Sequence, residues 1–198
     1  MTEKRTIVLA SGNAGKLREL DRVLAPLGVE LRPQSDFGVP EVEETGLTFV
    51  ENAILKARAA SRYSRLPAIA DDSGLEVDYL GGEPGIHSAR YSGEGDEANN
   101  RKLLQALDNL PHEQRSARFQ CVLVYMRHHL DPTPVVCQAS WDGYILTEPR
   151  GENGFGYDPL FYVPDQQCSS AELPTELKNR ISHRARASAD LLEALRNR

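Results

Sequence analysis

The sequence predicts an α/β fold, a mixed β-sheet with helices on its faces, and three stretches predict it. Thr6 to Ala10 is a compact apolar run that passes through a glycine-containing turn into apolar residues at helical spacing. Leu75, Val77 and Tyr79 alternate with Glu76 and Asp78, the pattern of a strand with one buried face. Ser116 to Arg127 is the longest strand candidate and is apolar on both faces from Val122 to Tyr125, which places it centrally. Strands and helices alternate in the order β-α-β-α-β-β-α, followed by further strands and a last helix.

Taken in order, the first strand runs into Ser11-Gly12-Asn13-Ala14-Gly15-Lys16, and Leu17, Leu20, Val23, Leu24 and Leu27 then fall on one helical face. Gly28 reads as the C-cap. A strand-to-helix turn offers backbone N–H groups and a helix dipole to a phosphate, and Lys16 adds a mobile charge. The spacing is not that of a Walker A loop, and the same residues also make an ordinary capped turn with a solvated lysine. Val29 to Leu31 starts a second strand. The polar segment Pro33 to Gly46 carries Glu41, Glu43 and Glu44 and ends at Thr48 and Glu51, which have capping-box spacing. The helix that follows has Val50, Ala53, Ile54, Ala57 and Ala60 on one face, with Lys56 and Arg58 on others. Glu43 and Glu44 are either solvated acids favouring the helix dipole or magnesium ligands.

Ala68-Ile69-Ala70 ends abruptly in Asp71 and Asp72, and Ser73-Gly74 read as a turn before the next strand. Two acids at the edge of an apolar run are costly to bury unless paired or bound to a cation. Gly81-Gly82 and Pro84-Gly85 are tight turns, and His87 to Gly93 reads as an exposed loop carrying Arg90. A helix is expected over Asn99 to Leu110, stopped by Pro111. Val135 to Trp141 and Tyr144 to Leu146 read as strands joined by an Asp142-Gly143 hairpin turn, with another short strand at Phe161 to Val163. Gly151 to Pro159 sets Phe155, Tyr157 and Asp158 among glycines, a composition suited to stacking on a flat ring. Lys178, Arg180, His183, Arg184 and Arg186 form a basic cluster before a final helix anchored by Leu191, Leu192 and Leu195: a solvated face or an anion site.

The 198 residues carry a net charge of −6 with 26% charged and 40% hydrophobic residues. That balance argues against a general nucleic-acid or anionic-membrane binder. No apolar run approaches the roughly 20 residues of a bilayer span, and the N-terminal apolar run is too short for a signal-peptide core, so a cytoplasmic protein is expected. Cys121, Cys137 and Cys168 have no metal-ligand spacing.

Six motifs in order carry a family resemblance: SGNAGK at Ser11 to Lys16, EETGLTFVENA at Glu43 to Ala53, ADDSGL at Ala70 to Leu75, PGIHSARYSG at Pro84 to Gly93, GFGYDP at Gly154 to Pro159, and SHR at Ser182 to Arg184. Together the chain resembles the Ham1/RdgB family, the inosine and xanthosine triphosphate pyrophosphatases. The resemblance implies hydrolysis of ITP, dITP and XTP to the monophosphate and pyrophosphate with Mg2+, removing deaminated purines from the nucleotide pool. It implies an elongated long mixed sheet in a single pyrophosphatase domain over residues 1–198, two lobes with the substrate cleft between them, and a homodimer. By the same resemblance Ser11, Gly12, Asn13, Ala14, Gly15 and Lys16 hold the triphosphate. Glu43, Glu44 and Asp72 hold magnesium, and Asp72 is the proton acceptor. Ser73, Phe155, Gly156, Tyr157, Asp158, Lys178, His183 and Arg184 contact the nucleotide, and Lys56 and Arg90 match basic positions near the phosphates.

The residue chemistry accommodates that reaction. Attack between the α- and β-phosphates needs an in-line water and neutralised phosphate oxygens. Asp71, Asp72 and Glu43 or Glu44 offer hard oxygen ligands, and Lys16, Lys56 and Arg90 offer positive charge. Donors aimed at a 6-oxo group reject adenine, whose amine would leave them unpaired, and Arg184, His183 and the amides of Phe155 to Asp158 are the candidates. The rival readings are a pyrophosphatase of modified pyrimidine or other damaged nucleotides, and a nucleotide sensor without catalysis.

Overall fold

The computed structural model describes residues 5–197. Seven strands form one sheet in the order β2-β1-β3-β4-β5-β6-β7. They are β1 (Arg5–Leu9), β2 (Val29–Pro33), β3 (Ala68–Val77), β4 (Ser116–Met126), β5 (Val135–Ile145), β6 (Phe161–Val163) and β7 (Cys168–Ser169). The helices are α1 (Ala14–Leu24), α2 (Phe49–Ser64), α3 (Asp96–Ala106), α4 (Thr175–Ile181) and α5 (His183–Arg196). β1 pairs in parallel with β2 and β3, while β6 pairs antiparallel with β5 and β7. The sheet is therefore mixed, as expected, and β4 lies at its centre.

The chain divides into two compact units. Among the described residues the first comprises 5–72, 121–139 and 186–197. Its core joins Ile7 and Leu9 of β1, Leu20 and Leu24 of α1, Ile69, Leu123, Tyr125 and Leu191 of α5. Side chains alternate across a strand, so Val8, Ala68 and Ala70, all buried, point to the opposite face. There α2 lies against β1, with Ala53, Ala57 and Ala60 at full burial. The alanines let helix and sheet backbones come close.

The second unit comprises residues 73–120 and 140–185. Its core joins Leu75 and Val77, Leu103 of α3 and Leu107 just past its end, Phe119, Trp141, Ile145, Phe161 and Val163. Arg115, 3% exposed, stays charged in this setting by donating to the carbonyls of Leu107, Ile145 and Leu146.

Three local expectations need correction. Asp71 to Gly74 is not a turn: β3 runs unbroken from Ala68 to Val77. The two acids can lie within a strand because each has a lysine partner, described below. Asp142-Gly143 is not a hairpin turn either, since β5 is continuous from Val135 to Ile145. A Cβ on Gly143 would strike the Tyr162 carbonyl and lie 2.7 Å from the Phe161 ring. The glycine admits the close approach of β6 rather than reversing the chain. Finally, residues 87–90 belong to a 3-10 helix, Gly85–Arg90, with Ser88 buried, rather than to an open loop.

The β4–β5 connection, in the first unit, is tied by Asp131, whose side chain is fully buried. Its carboxylate accepts from the Arg127 amide and guanidinium and from the Thr133 amide. The Arg127 hydrogen bond is the main cause holding its pKa well below the ordinary carboxylate value. A depressed folded-state pKa means the stabilisation is present above the unfolded value near 4 and is lost as pH falls through the folded one. Asp131→Asn is therefore expected to lower stability by about 2 kcal/mol at neutral pH in urea unfolding, with the difference from the parent shrinking in acid.

Candidate active site

Two groups of side chains meet the chemical requirements, one in each unit. In the first unit the parallel register aligns Leu9 with Ile69, and Ala10 N–H donates to the Ile69 carbonyl. The C-terminal end of β1 thus lies beside the first residues of β3, two positions before Asp71. β1 leads into the Ser11 to Lys16 turn, and Asp71 and Asp72 follow Ile69 within β3.

The turn is internally ordered. Asn13 caps α1, its Oδ1 accepting from the amides of Gly15 and Lys16 at 2.8 and 3.2 Å. Ser11 Oγ accepts from the Asn13 amide at 3.1 Å, and the Ser11 amide donates to the Leu9 carbonyl. The turn was expected to present bare amides to a phosphate. Its own hydrogen bonds instead engage those of Ser11, Asn13, Gly15 and Lys16, which leaves Gly12 and Ala14 for a ligand unless Asn13 swings away.

Lys16 Nζ lies 2.5 Å from Asp71 Oδ1, and the Asp71 side chain is completely buried. Lys56, projecting from the middle of α2, bridges two other acids: Asp72 Oδ1 at 2.5 Å and Glu44 Oε1 at 3.0 Å. Burial raises the Asp72 pKa first, Lys56 pulls it back, and Glu44 pushes it up again; the net shift is upward. For Lys56, burial works downward, but the charge and hydrogen bond of Asp72, with Glu44, leave the pKa raised. The ammonium is thus firmly protonated while the neighbouring acids remain crowded.

The Glu44 loop is held from α2. Thr48 caps the helix through the Glu51 amide, and Glu51 accepts from Leu47 N–H and Thr48 Oγ–H, a variant of the expected capping box. Asn52, fully buried, accepts from the Gly46 amide at 2.8 Å. A Cβ on Gly46 would come within 2.5 Å of Glu51 Cβ and 2.7 Å of Asn52 Oδ1, so the loop packs against the helix too closely for any other residue.

The expected metal set of Glu43, Glu44 and Asp72 is gathered only in part. Glu44 joins Asp72 on Lys56, whereas Glu43 is exposed. Among the described residues no three His, Cys, Asp or Glu side chains group closely enough to hold a metal by themselves. Glu44 and Asp72 do fit magnesium by donor chemistry. Mg2+ commonly takes one or two carboxylates and completes its shell with waters and substrate phosphates, and two crowded, largely desolvated acids favour a cation beside them.

In the second unit the GFGYDP segment is built around Asp158, which is 3% exposed. It accepts from the Phe155 amide at 2.8 Å, from Ser170 Oγ at 2.9 Å and from the Lys178 ammonium. A Cβ on Gly154 would collide with the same carboxylate, and Gly154 has φ +83°. The two aromatics are used differently. Tyr157 is buried in the core and its hydroxyl donates to the Ser88 carbonyl at 2.9 Å; burial pushes its pKa up, so it stays a donor. Phe155 is 52% exposed, with Lys178 Nζ 5.5 Å and the Arg184 guanidinium carbon 5.9 Å from its ring centre. Of the two rings expected to stack on a base, only Phe155 presents one.

Of the remaining expected residues, Arg184 and His183 are both buried, at 7% and 6% exposure. His183 stacks on Phe119, ring centres 4.8 Å apart, and lies 6.4 Å from Trp141. It is a core histidine in part, which limits how far it can turn toward a ligand. Ser73 is half-buried in β3 and Arg90 is exposed at the end of its 3-10 helix. Asp71, offered by the sequence as a further oxygen ligand, is the buried partner of Lys16. Sequence reasoning passed over Asn52, Ser170 and two residues of α3 treated below. The adjacent Asp71-Asp72 pair was a signal for Asp71; the others carry none in local pattern.

The model of the Ham1 family matches residues 7–194. A dITP/XTP pyrophosphatase of Thioalkalivibrio sulfidiphilus is 59% identical over 194 residues, covering 97% of this chain and 99% of its own. The dITP/XTP pyrophosphatase of Escherichia coli K12 is 58% identical over 193 residues, with coverages of 96% and 98%. Among solved structures, a HAM1 protein from Coxiella burnetii is 48% identical with a TM-score of 0.93, covering 98% of this chain and 100% of that one. The Staphylococcus aureus Ham1 protein is 43% identical with a TM-score of 0.89 and coverages of 98% and 99%.

Proposed function

The chain belongs to the Ham1 family, and from that membership we infer its reaction. It is an enzyme that hydrolyses the non-standard purine nucleoside triphosphates ITP, dITP and XTP to the monophosphate and pyrophosphate. The observation that carries this reading furthest is near-full-length identity of 58–59% to dITP/XTP pyrophosphatases. The paired acid–lysine set where β1 ends beside β3 supports it chemically.

In the proposed mechanism a water oxygen attacks the α-phosphorus and the bond from that phosphorus to the bridging oxygen of the β-phosphate breaks. Pyrophosphate leaves, and the water's proton passes to Asp72. Lys16 and Lys56 offset the charge on the phosphate oxygens, where fixed cations in a desolvated site are most effective. Asp71 holds Lys16 in place. Glu44 and Asp72 would hold Mg2+, with Glu43 alongside as the alternative acid; the bound ion would supply charge neutralisation at the phosphates. Ser11 to Lys16 would cradle the triphosphate through Lys16 and the Gly12 and Ala14 amides, with Ser73 and Arg90 as further nucleotide contacts. Phe155 would stack on the purine, a contact that adds affinity without discrimination. Arg184, His183 and the Tyr157 amide would read the 6-oxo group, since the Gly156 and Asp158 amides are engaged by Asp96 and the Phe155 carbonyl, with Lys178 holding Asp158.

We further propose that residues 1–198 act as one pyrophosphatase domain, in the cytoplasm and as a homodimer. No helix among the described residues is long and apolar enough to cross a membrane, and the net charge of −6 gives no electrostatic reason to expect nucleic acid as a partner.

The test is a panel of ITP, dITP, XTP, the four standard triphosphates and modified pyrimidine triphosphates, assayed with and without Mg2+. Pyrophosphate is expected as product, from the deaminated purines and only with the metal. Preference for a pyrimidine substrate, or orthophosphate as product, would refute the assignment. Arg184→Ala is expected to erode the preference for ITP over ATP; an unchanged ratio would remove Arg184 as the reader.

A further inference from the structure

The base-side loop is gripped by a helix to which no role has been given. Asp96, Asn99 and Asn100 occupy the first turns of α3 at spacings that put Asp96 on the same face as the two asparagines. Asp96 Oδ2 accepts the Gly156 N–H at 2.7 Å, and Asn100 Nδ2 donates to the Gly156 carbonyl at 3.0 Å. Both backbone groups of one residue are therefore fixed by two side chains a helical turn apart. That residue has φ +61°, the left-handed region, and sits between exposed Phe155 and buried Tyr157.

Asn99 does comparable work on the neighbouring segment. Its Oδ1 accepts from the Ser92 amide at 2.7 Å and hydroxyl at 2.8 Å, and its Nδ2 donates to the Ser88 and Ala89 carbonyls at 3.3 Å. Tyr157 donates to the same Ser88 carbonyl. The start of α3 thus ties together the turn that carries Arg90 and the loop that carries Phe155.

We infer that Asp96 and Asn100 are positioning residues for base recognition, clamping Gly156 so that the Phe155 ring on one side and the Tyr157 amide on the other are pre-set for the purine. Without the clamp, Gly156 is free to leave its left-handed conformation and Phe155 must be ordered at the moment of binding. That ordering lowers affinity for the base while leaving the phosphate chemistry in the other unit alone. The inference rests on the reading of Phe155 as the base platform.

The experiment compares Asp96→Ala, Asn100→Ala, Asp96→Asn and Phe155→Ala. Steady-state kinetics are measured with ITP and ATP, inhibition with tripolyphosphate as a probe that has no base, and folding by thermal unfolding. Asp96→Ala and Asn100→Ala are each expected to raise KM for ITP about tenfold and to narrow the ITP/ATP ratio, with kcat and tripolyphosphate inhibition nearly unchanged. Asp96→Asn keeps an acceptor for the Gly156 amide and should stay near the parent. Normal KM values in both alanine variants, with a raised KM in Phe155→Ala, would overturn the clamp alone. Normal values in all three would overturn the base platform and the clamp with it. An equal loss of tripolyphosphate binding would show a general structural defect and also overturn it.

Discussion

Asp72→Asn is expected to abolish pyrophosphate release from ITP, with kcat falling by about 10³ or more while the protein remains folded. The amide has the shape of the carboxylate but cannot accept a proton and is a poor ligand for a hard cation, so both proposed roles go at once. The expectation that folding survives follows from the Lys56 geometry. Lys56 touches two acids, so losing the Asp72 charge leaves it the Glu44 contact at 3.0 Å. Burial already works against the charged form of Asp72, so neutralising it relieves a desolvation penalty as it removes an ion pair. Thermal unfolding should therefore move little. A variant that folds normally and keeps more than about a tenth of parental kcat would remove Asp72 from the proton-transfer step, since a general base contributes 10² or more.

The same acid shows where local pattern succeeds and where it stops. The apolar run before Asp71 and the alternation after Gly74 were legible, because strand periodicity is written in consecutive residues. The continuity between them was not. Asp, Ser and Gly are turn formers by local preference; lysines 55 and 16 positions away in sequence help make these acids tolerable inside a strand. Gly143 misled in the same way: Asp-Gly is a hairpin signal, and the contact that demands glycine comes from β6. The helix of Leu17, Leu20 and Leu24 needed no distant partner to be recognised and is found as α1.

For the candidate site, the pieces that carry charge or glycine in a compact motif could be read from sequence, and the side chains that hold those pieces could not. Asn52 and Asn100 are single amides within ordinary helical patterns. Their importance comes from one backbone group each contacts in a loop elsewhere. Tyr157 shows the converse. Its neighbourhood identifies a loop correctly, but whether a ring faces solvent or core is a matter of packing, and here it faces the core.

Lys16→Ala is expected to reduce kcat/KM for ITP by about 10² while weakening binding of the monophosphate product much less. The reason is position: Lys16 follows directly on the turn at the end of β1, where the β- and γ-phosphates are proposed to lie, and the monophosphate lacks both. The single substitution has a second effect that must be separated from the first. Asp71 has a completely buried side chain and Lys16 is its ion-pair partner at 2.5 Å. Removing the ammonium takes the ion pair from a buried carboxylate, a loss that runs to about 3–5 kcal/mol in such pairs. Some of the activity lost could then be lost folding. The double variant Lys16→Ala with Asp71→Asn resolves this, because the amide carries no charge to pair. Its urea midpoint should recover most of the way to the parent while kcat/KM for ITP stays low. If activity returned together with stability, the role of Lys16 would be confined to neutralising Asp71. If monophosphate and triphosphate binding fell by equal factors, Lys16 would not read the outer phosphates. Stability restored without activity is the result the ion-pair geometry favours: Asp71 positions the lysine, and the lysine meets the substrate.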